Sequence, residues 1–591
     1  MAASSATSFL VRVNAWIERM PRWLRVILGI VVAAVGVLVI LRPFSSLTLL
    51  LATLALALAV AGLARIVEAR TLPRPVPSAI AGVVEMLAAI AIIALPFLSV
   101  AGLAIIVGAV LIVGGVADLS AAWTRRSGHR VADALRGAAL VIFGVLAILW
   151  VDVSLIVIAV VFAIRLVVLG IGLVVGALRR APGVASPRRQ RALARLALAG
   201  RALLAVVAIV ALAGSILLHR GVTQPTAFYD APASVPDGPG HLIRSEAYTQ
   251  AVPTGARGWL ILYTTTDLRG EPTVGSAFVM APENPGSDPL DVVLWTHGTQ
   301  GADRTCAPTL LPEPLPLTAP MAAMKEQLAK GRVLVGPDYP GMGTAGPQGY
   351  LIGENEGRSS LDAVRAAHEL TELELSWRTV VWGHSQGGQA ALWTGGLAPE
   401  YAPEIELLGV SAAAPAADVK GLIGSLGESL IGQVLGPYAV RSYAETYDDV
   451  VATDYIDPRM YPIYAAASRR CIPESDETVT LLTAMTMHGT MYRTDAATGP
   501  LGERLDENVP TRMIDAPLFI AQGASDPLIL PSVQEKYVKS RCEAGQELVY
   551  REYPGRDHLS VVADDSPYSA ELLTWTDDRF AGEPAPASTC S

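Results

Sequence analysis

Val380-Val381-Trp382-Gly383-His384-Ser385-Gln386-Gly387-Gly388 is a short apolar run that ends in Gly-x-Ser-x-Gly and passes into the helix-favouring segment Gln389-Ala390-Ala391-Leu392-Trp393. A strand, a sharp turn and a helix in that order lift a serine Oγ above a sheet edge, where it can act as a nucleophile. Gly383 and Gly387 suit a strained turn that other backbone approaches closely. Such a serine needs a histidine base, and the histidine needs an acid to fix its tautomer. In this layout the acid and then the histidine follow the serine along the chain. Of eight histidines, His129 lies in a basic loop, His219 and His241 flank a spacer, His297, His368 and His384 precede the serine, and His488 falls in an inserted segment. His558, in Tyr553-Pro554-Gly555-Arg556-Asp557-His558-Leu559, is left as the base. Asp526, at the end of Leu518-Phe519-Ile520-Ala521-Gln522-Gly523-Ala524-Ser525-Asp526, is the expected acid; Asp557 is the rival, but a sequence neighbour of the base usually points elsewhere. An oxyanion needs two backbone N–H groups. Gln386 supplies one, and Thr299 in Trp295-Thr296-His297-Gly298-Thr299-Gln300-Gly301 the other, with Gln300 next and His297 shaping the loop.

These residues must be positioned by a sheet. β-Branched apolar runs fall at 259–265, 275–281, 291–296, 332–336, 379–383, 407–412, 517–521 and 547–553, with helix-like segments at 320–330, 359–372 and 387–397 between the later ones. That alternation predicts a doubly wound, mainly parallel sheet. The stretch 418–515 carries no convincing core strand, and a structureless loop that long is unusual. It is expected to be a cap over the site, with a helical fragment at 476–487. Tyr438, Tyr443, Tyr447 and Met485 would line an acyl pocket or form the cap's own core.

The first ~220 residues differ from the rest. The whole chain is 52% hydrophobic and 17% charged, with a formal net charge of -9. Apolar runs near 24–41, 47–66, 80–95, 100–117, 136–150, 154–177 and 202–218 approach the ~20 residues of a bilayer crossing. Gly36, Pro43 and Gly62 share their offsets with Ala89, Pro96 and Gly115 and with Gly144, Val151 and Gly170, which predicts three repeated helical hairpins with glycines at close helix contacts. Arginines collect in 65–78, 118–136 and 178–201, where the positive-inside rule puts the cytoplasm. The segment after His219 is then outside, where Cys306, Cys471, Cys542 and Cys590 can form two disulfides. Basic residues lying between apolar runs are not a nucleic-acid-binding pattern, and no Cys/His spacing suggests zinc. Glu85 and Arg165 are charges inside apolar runs, expected to snorkel or pair within the bundle.

The repeat spacing over about 25–180 resembles the HdeD-type acid-resistance membrane proteins, which implies a stress-linked membrane module. His297-Gly298-Thr299, Cys306-Ala307-Pro308-Thr309, Pro337-Asp338-Tyr339-Pro340-Gly341-Met342-Gly343, Leu361-Asp362-Ala363-Val364-Arg365-Ala366 and Gly383-His384-Ser385-Gln386-Gly387-Gly388 resemble the secretory lipase family of the α/β-hydrolase fold over about 245–585. That resemblance implies acyl-ester (glyceride) hydrolysis with a helical cap and no metal or cofactor. It also implies the pairs Cys306 with Cys471 and Cys542 with Cys590. The family's members are typically free secreted enzymes, so the fused N-terminal half departs from the pattern. The expected order is a cytoplasmic segment 1–22, a membrane domain 23–180, a basic loop and seventh transmembrane helix 181–220, a linker 221–257 and an α/β-hydrolase domain 258–591 with its cap at about 419–514. The expected protein is a multi-pass cell-membrane enzyme whose outer domain meets lipid or ester substrates and whose helices contact membrane lipids. An acyltransferase with the same triad, or a stress protein with a non-catalytic hydrolase-like domain, are the alternatives.

Overall fold

The computed structural model describes residues 21–41, 75–94, 100–124, 130–149, 166–178 and 205–216 of the N-terminal part, with isolated positions between them. Beyond these it describes 224–590, apart from 268, 312–319, 428, 459 and 473–490. The chain divides into two compact units: Met1–Arg220 with Pro458–Ala466 and Leu481–Gly489, and Gly221–Asp457 with Ala467–Thr480 and Thr490–Ser591.

In the first unit, α1 (Arg22–Leu41), α2 (Pro75–Ala94), α3 (Val100–Thr124) and α4 (Arg130–Leu149) are built from Ala, Val, Ile, Leu and Gly. Glycines set their packing. A Cβ on Gly115 would lie 2.6 Å from Gly137 O, one on Gly108 2.7 Å from Gly144 O, and one on Gly62 2.6 Å from Gly82 O. Gly170 meets Gly29 in the same way. The close contacts expected at Gly62, Gly115, Gly144 and Gly170 are therefore present. Arg136 pairs with Asp118 at 3.2 Å, Glu85 is buried, and Arg165 lies outside the described residues. Counted over the described residues, no helix is long and apolar enough to cross a membrane. The multi-pass localisation expected from the sequence is not supported on that count, and much of the predicted runs 47–66 and 154–177 lies outside the described residues.

The second unit is an α/β-hydrolase fold. Its strands are β1 (Leu242–Ala247), β2 (Ala256–Thr266), β3 (Pro272–Pro282), β4 (Leu290–Thr296), β5 (Val333–Pro337), β6 (Leu375–His384), β7 (Glu406–Ala413), β8 (Leu518–Gly523) and β9 (Val549–Tyr553). Among the described residues they form one sheet in the order β1-β2-β3-β5-β4-β6-β7-β8-β9. The β1–β2, β2–β3 and β3–β5 pairs are antiparallel, and every pair from β4 to β9 is parallel. The parallel strands are apolar on both faces because helices cover both. One face packs on α6 (Gly353–His368), α7 (Gln386–Tyr401) and α11 (Pro531–Glu543) through Leu361, Val364, Leu392 and Tyr537. The other packs on α5 (Met321–Ala329) and α12 (Pro567–Ala581) through Met324, Leu328, Leu572 and Trp575. The predicted 221–257 linker is not all spacer. It contains β1, an edge strand too polar (Leu-Ile-Arg-Ser-Glu-Ala) to give an apolar run.

Between β7 and β8 the described residues form helices and no strand, including α8 (Val419–Leu426), α9 (Leu430–Thr446) and α10 (Gly499–Glu507). Tyr438 and Tyr443 are fully buried, with hydroxyls donated to Arg470 O and Leu351 O. Tyr447 accepts from Asn508 Nδ2. Tyr438 thus bonds within the insertion while its ring packs edge-on to Tyr350, and Tyr443 ties the insertion to Leu351; Met485 and most of the predicted helix 476–487 lie outside the described residues.

Both disulfides implied by the resemblance are present, Cys306–Cys471 and Cys542–Cys590. The second fastens the C-terminal tail, where Thr589 N donates to Leu548 O at 2.9 Å. It spans a sequence separation of 48, so its loss should free up to about 4 kcal/mol of denatured-state entropy. Urea unfolding of a Cys542→Ser/Cys590→Ser double variant will show a loss of that order; an unchanged midpoint would mean the tail contributes nothing.

Candidate active site

Ser385 stands between the end of β6 and the start of α7, with φ 58 and ψ -120. A non-glycine residue in that region is strained and is held by its surroundings. Here Ser385 N donates to Ala413 O and Ala416 N to Ser385 O, so the neighbouring strand clamps the turn on both sides. A Cβ on Gly383 would overlap Gly387 O, and one on Gly387 would overlap Thr296 O and approach His297 O to 2.6 Å. Both glycines are required by close backbone approach, as the sequence implied. The same contacts bring the loop after β4 directly against the turn.

The expected base and acid meet this serine. His558 Nε2 is 2.9 Å from Ser385 Oγ, and His558 Nδ1 is 2.8 Å from Asp526 Oδ2. All three are at most 8% exposed. Asp526 sits in the turn after β8, where its Oδ1 accepts from Leu528 N and Ile529 N at 2.8 and 2.9 Å. Its Oδ2 also accepts from Gln522 Nε2 at 3.1 Å. The carboxylate is thus oriented before it meets the histidine. Asp557, the rival, points away: its Oδ1 accepts from the backbone and hydroxyl of Ser560, which hold it below the usual carboxylate range.

Gln386 is the first residue of α7, so its N–H has no intrahelical acceptor. Thr299 lies in the loop that touches Gly387, and its Oγ1 is 3.1 Å from Tyr350 Oη. Gln300 points its amide back to Gly298 O at 3.4 Å. His297 shapes the loop as expected: Nδ1 lies 2.7 Å from Gly298 O, and the ring stacks on Tyr339. Burial pushes its imidazole down to about 4. The folded protein holds this ring neutral, whereas the unfolded chain protonates it near pH 6.5. Stability from this group is therefore complete above about pH 6.5 and is lost as pH falls to about 4, by up to roughly 3 kcal/mol. A His297→Gln variant will show a shallower loss of unfolding free energy between pH 7 and 4.5 than the parent; a parallel slope would contradict a buried neutral ring.

Three supporting residues were not found from the sequence. Gln522 braces Asp526, and His384 Nε2 lies 2.8 Å from His558 O, which fixes the loop carrying the base. Glu356, buried on α6, accepts from Gln386 Nε2 at 2.6 Å. His384 stood beside the serine in the motif and was the one with a local signal. Among the described residues no cluster of His, Cys, Asp or Glu could hold a metal ion.

Residues 315–588 match the secretory lipase family, and residues 27–78, 80–134 and 135–189 each match a short repeat of unknown function (DUF308). The repeat matches agree with the threefold repetition read from glycine and proline offsets. Lipase 6 of Candida albicans is 25% identical over 403 residues, covering 61% of this chain and 81% of the relative. The secreted triacylglycerol lipase LIP4 of Malassezia globosa is 27% identical, covering 55% and 73%. A Mycobacterium tuberculosis protein named probable inactive lipase MT1628 is 25% identical, covering 60% and 82%. In structure, the chain is similar to Candida antarctica lipase A in its closed state, with TM-score 0.53, 18% identity, and coverage of 62% of this chain and 89% of that one.

Proposed function

We propose that the second unit is a serine hydrolase of carboxylic esters, of lipase or esterase type. The observation that carries this is the continuous line Ser385 Oγ, His558 and Asp526 at hydrogen-bond distances, on a strained strand–turn–helix. His558 takes the proton from Ser385 as Oγ attacks the ester carbonyl. The N–H groups of Gln386 and Thr299 face the developing oxyanion, where fixed donors are worth most. The alcohol leaves with the proton now on His558, and water repeats the sequence to free the acid. No metal or cofactor enters these steps. The similarity to secretory lipases supports acyl esters, glycerides among them, as the substrate class.

The first unit, in this reading, is a membrane anchor. Its support is the surface it presents. Ile27, Ile30, Val31, Ile80, Leu87, Ile90, Val168, Leu169, Val206 and Val210 are each about half exposed or more. A soluble surface rarely gathers so many outward apolar side chains. Lipid would cover them, and the hydrolase would then work outside the cytoplasmic membrane, where its two disulfides persist.

The test is hydrolysis of p-nitrophenyl esters of graded chain length by the detergent-solubilised full chain, with Ser385→Ala alongside. Serine-dependent turnover establishes the reading and its length profile sizes the pocket. A folded protein with no such turnover would overturn it. Partition of the chain into the aqueous phase without detergent would sink the anchor.

A further inference from the structure

Glu356 is a fully buried carboxyl that the proposed mechanism does not use. It lies in the first turn of α6, where burial pushes it up to about 8, so at neutral pH it is held mainly as the acid. Its Oε1 accepts from Gln386 Nε2 at 2.6 Å and from Leu351 N at 3.1 Å. Its Oε2 has no hydrogen-bond partner among the described residues, and neither does Gln386 Oε1. The Gln386 side chain therefore hangs on the single bond to Glu356. Leu351 is itself strained, at φ 58, and its carbonyl accepts from Tyr443 Oη. The preceding residue, Tyr350, is buried and reaches Thr299 Oγ1 with its hydroxyl.

One carboxyl is thus linked to both residues that offer backbone N–H groups to the oxyanion, to one directly and to the other through a turn. It reaches Gln386 by its side chain, and Thr299 through the Leu351–Tyr350 turn. Desolvating a carboxyl and leaving one of its oxygens unpaired is costly. An apolar residue of similar size would fill the space without that cost, but it could not hold Gln386. We infer that Glu356 is the positioning residue of the oxyanion hole, fixing the two N–H donors at their distance from Ser385. The inference rests on the hydrolase reading above. It adds a residue that touches neither the substrate nor the reacting atoms.

The test measures kcat and KM of the full chain on p-nitrophenyl butyrate, together with inhibition by butylboronic acid, whose serine adduct places an oxygen in the oxyanion hole. Removing one oxyanion donor outright costs about 10²–10³-fold in kcat, which sets the upper scale for displacing one. Glu356→Ala will lose at least about tenfold in kcat, up to that scale, while KM stays within about threefold, and boronate affinity will fall in step with kcat/KM. Glu356→Gln has the shape and charge of the protonated acid and keeps the acceptor for both bonds, so it will restore kcat to within about threefold of the parent. If Glu356→Ala does not fold, Gln386→Met decides the matter, since it keeps the backbone N–H and removes only the tether; it will lose kcat without KM. A folded Glu356→Ala, or a Gln386→Met, with parent-like kcat and boronate affinity overturns the inference and leaves the hydrolase reading standing. Absence of Ser385-dependent turnover in the parent overturns both.

Discussion

Ser385→Ala will lower kcat on short p-nitrophenyl esters by about 10⁴- to 10⁶-fold, because the nucleophile and its base act as one unit. The residual rate comes from binding and the oxyanion donors alone. The fold will survive the change. Ser385 Oγ is bonded to His558 Nε2, and the backbone bonds that clamp the turn, Ser385 N to Ala413 O and Ala416 N to Ser385 O, do not involve the side chain. Alanine accepts the same φ at a similar cost, so the unfolding midpoint should stay within a few degrees of the parent's. Turnover within tenfold of the parent, from a protein free of contaminating esterase, would remove Ser385 from the mechanism. The measurement has particular weight here because one relative of comparable identity carries the name probable inactive lipase. Intact geometry at Ser385, His558 and Asp526 argues that this chain is not silent, and kcat decides it.

The parts of the site that could be read from the sequence are those tied to a local pattern. Gly383, Ser385 and Gly387 are legible because the turn's conformation restricts its residue types. Asp526 and His558 are legible because the chain order of the fold leaves few candidates. Both carry further contacts that no local pattern predicts. Gln522 and Glu356 are polar residues on a strand and a helix, and their burial against the site follows only from tertiary packing. Strand β1 escaped because an edge strand pairs on one side and needs no apolar run. The inserted segment was legible as an absence of core strands, but the duty of its tyrosines was not. Aromatic residues in a small helical layer look alike whether they face a ligand or each other, and Tyr438 and Tyr443 turn out to face backbone carbonyls. In the first unit the glycine offsets foretold close helix contacts because only glycine lets two helix backbones meet, as Gly115 and Gly137 do.

The acid offers the second large effect. Asp526→Asn keeps the size of the side chain and can keep its oxygen on Leu528 N and Ile529 N, so the turn after β8 should hold. That arrangement turns the amide –NH₂ toward His558 Nδ1. Two donors cannot share the contact, so the ring must present Nδ1 as acceptor and carry its proton on Nε2. Nε2 is the atom facing Ser385 Oγ, and a protonated Nε2 cannot accept the serine's proton. The geometry survives while the tautomer is wrong, and kcat should fall about 10⁴-fold with KM nearly unchanged. Asp557→Asn is the matched control, one residue from the base in sequence but exposed and bonded to Ser560. It should change kcat by less than about threefold, since the salt-screened field of an exposed carboxylate is weak. The reverse ranking, with Asp557→Asn the more damaging, would transfer the role of acid to the sequence neighbour and would require His558 to turn its Nδ1 edge away from β8. The ring is held against that rotation at both nitrogens, Nδ1 by Asp526 and Nε2 by Ser385.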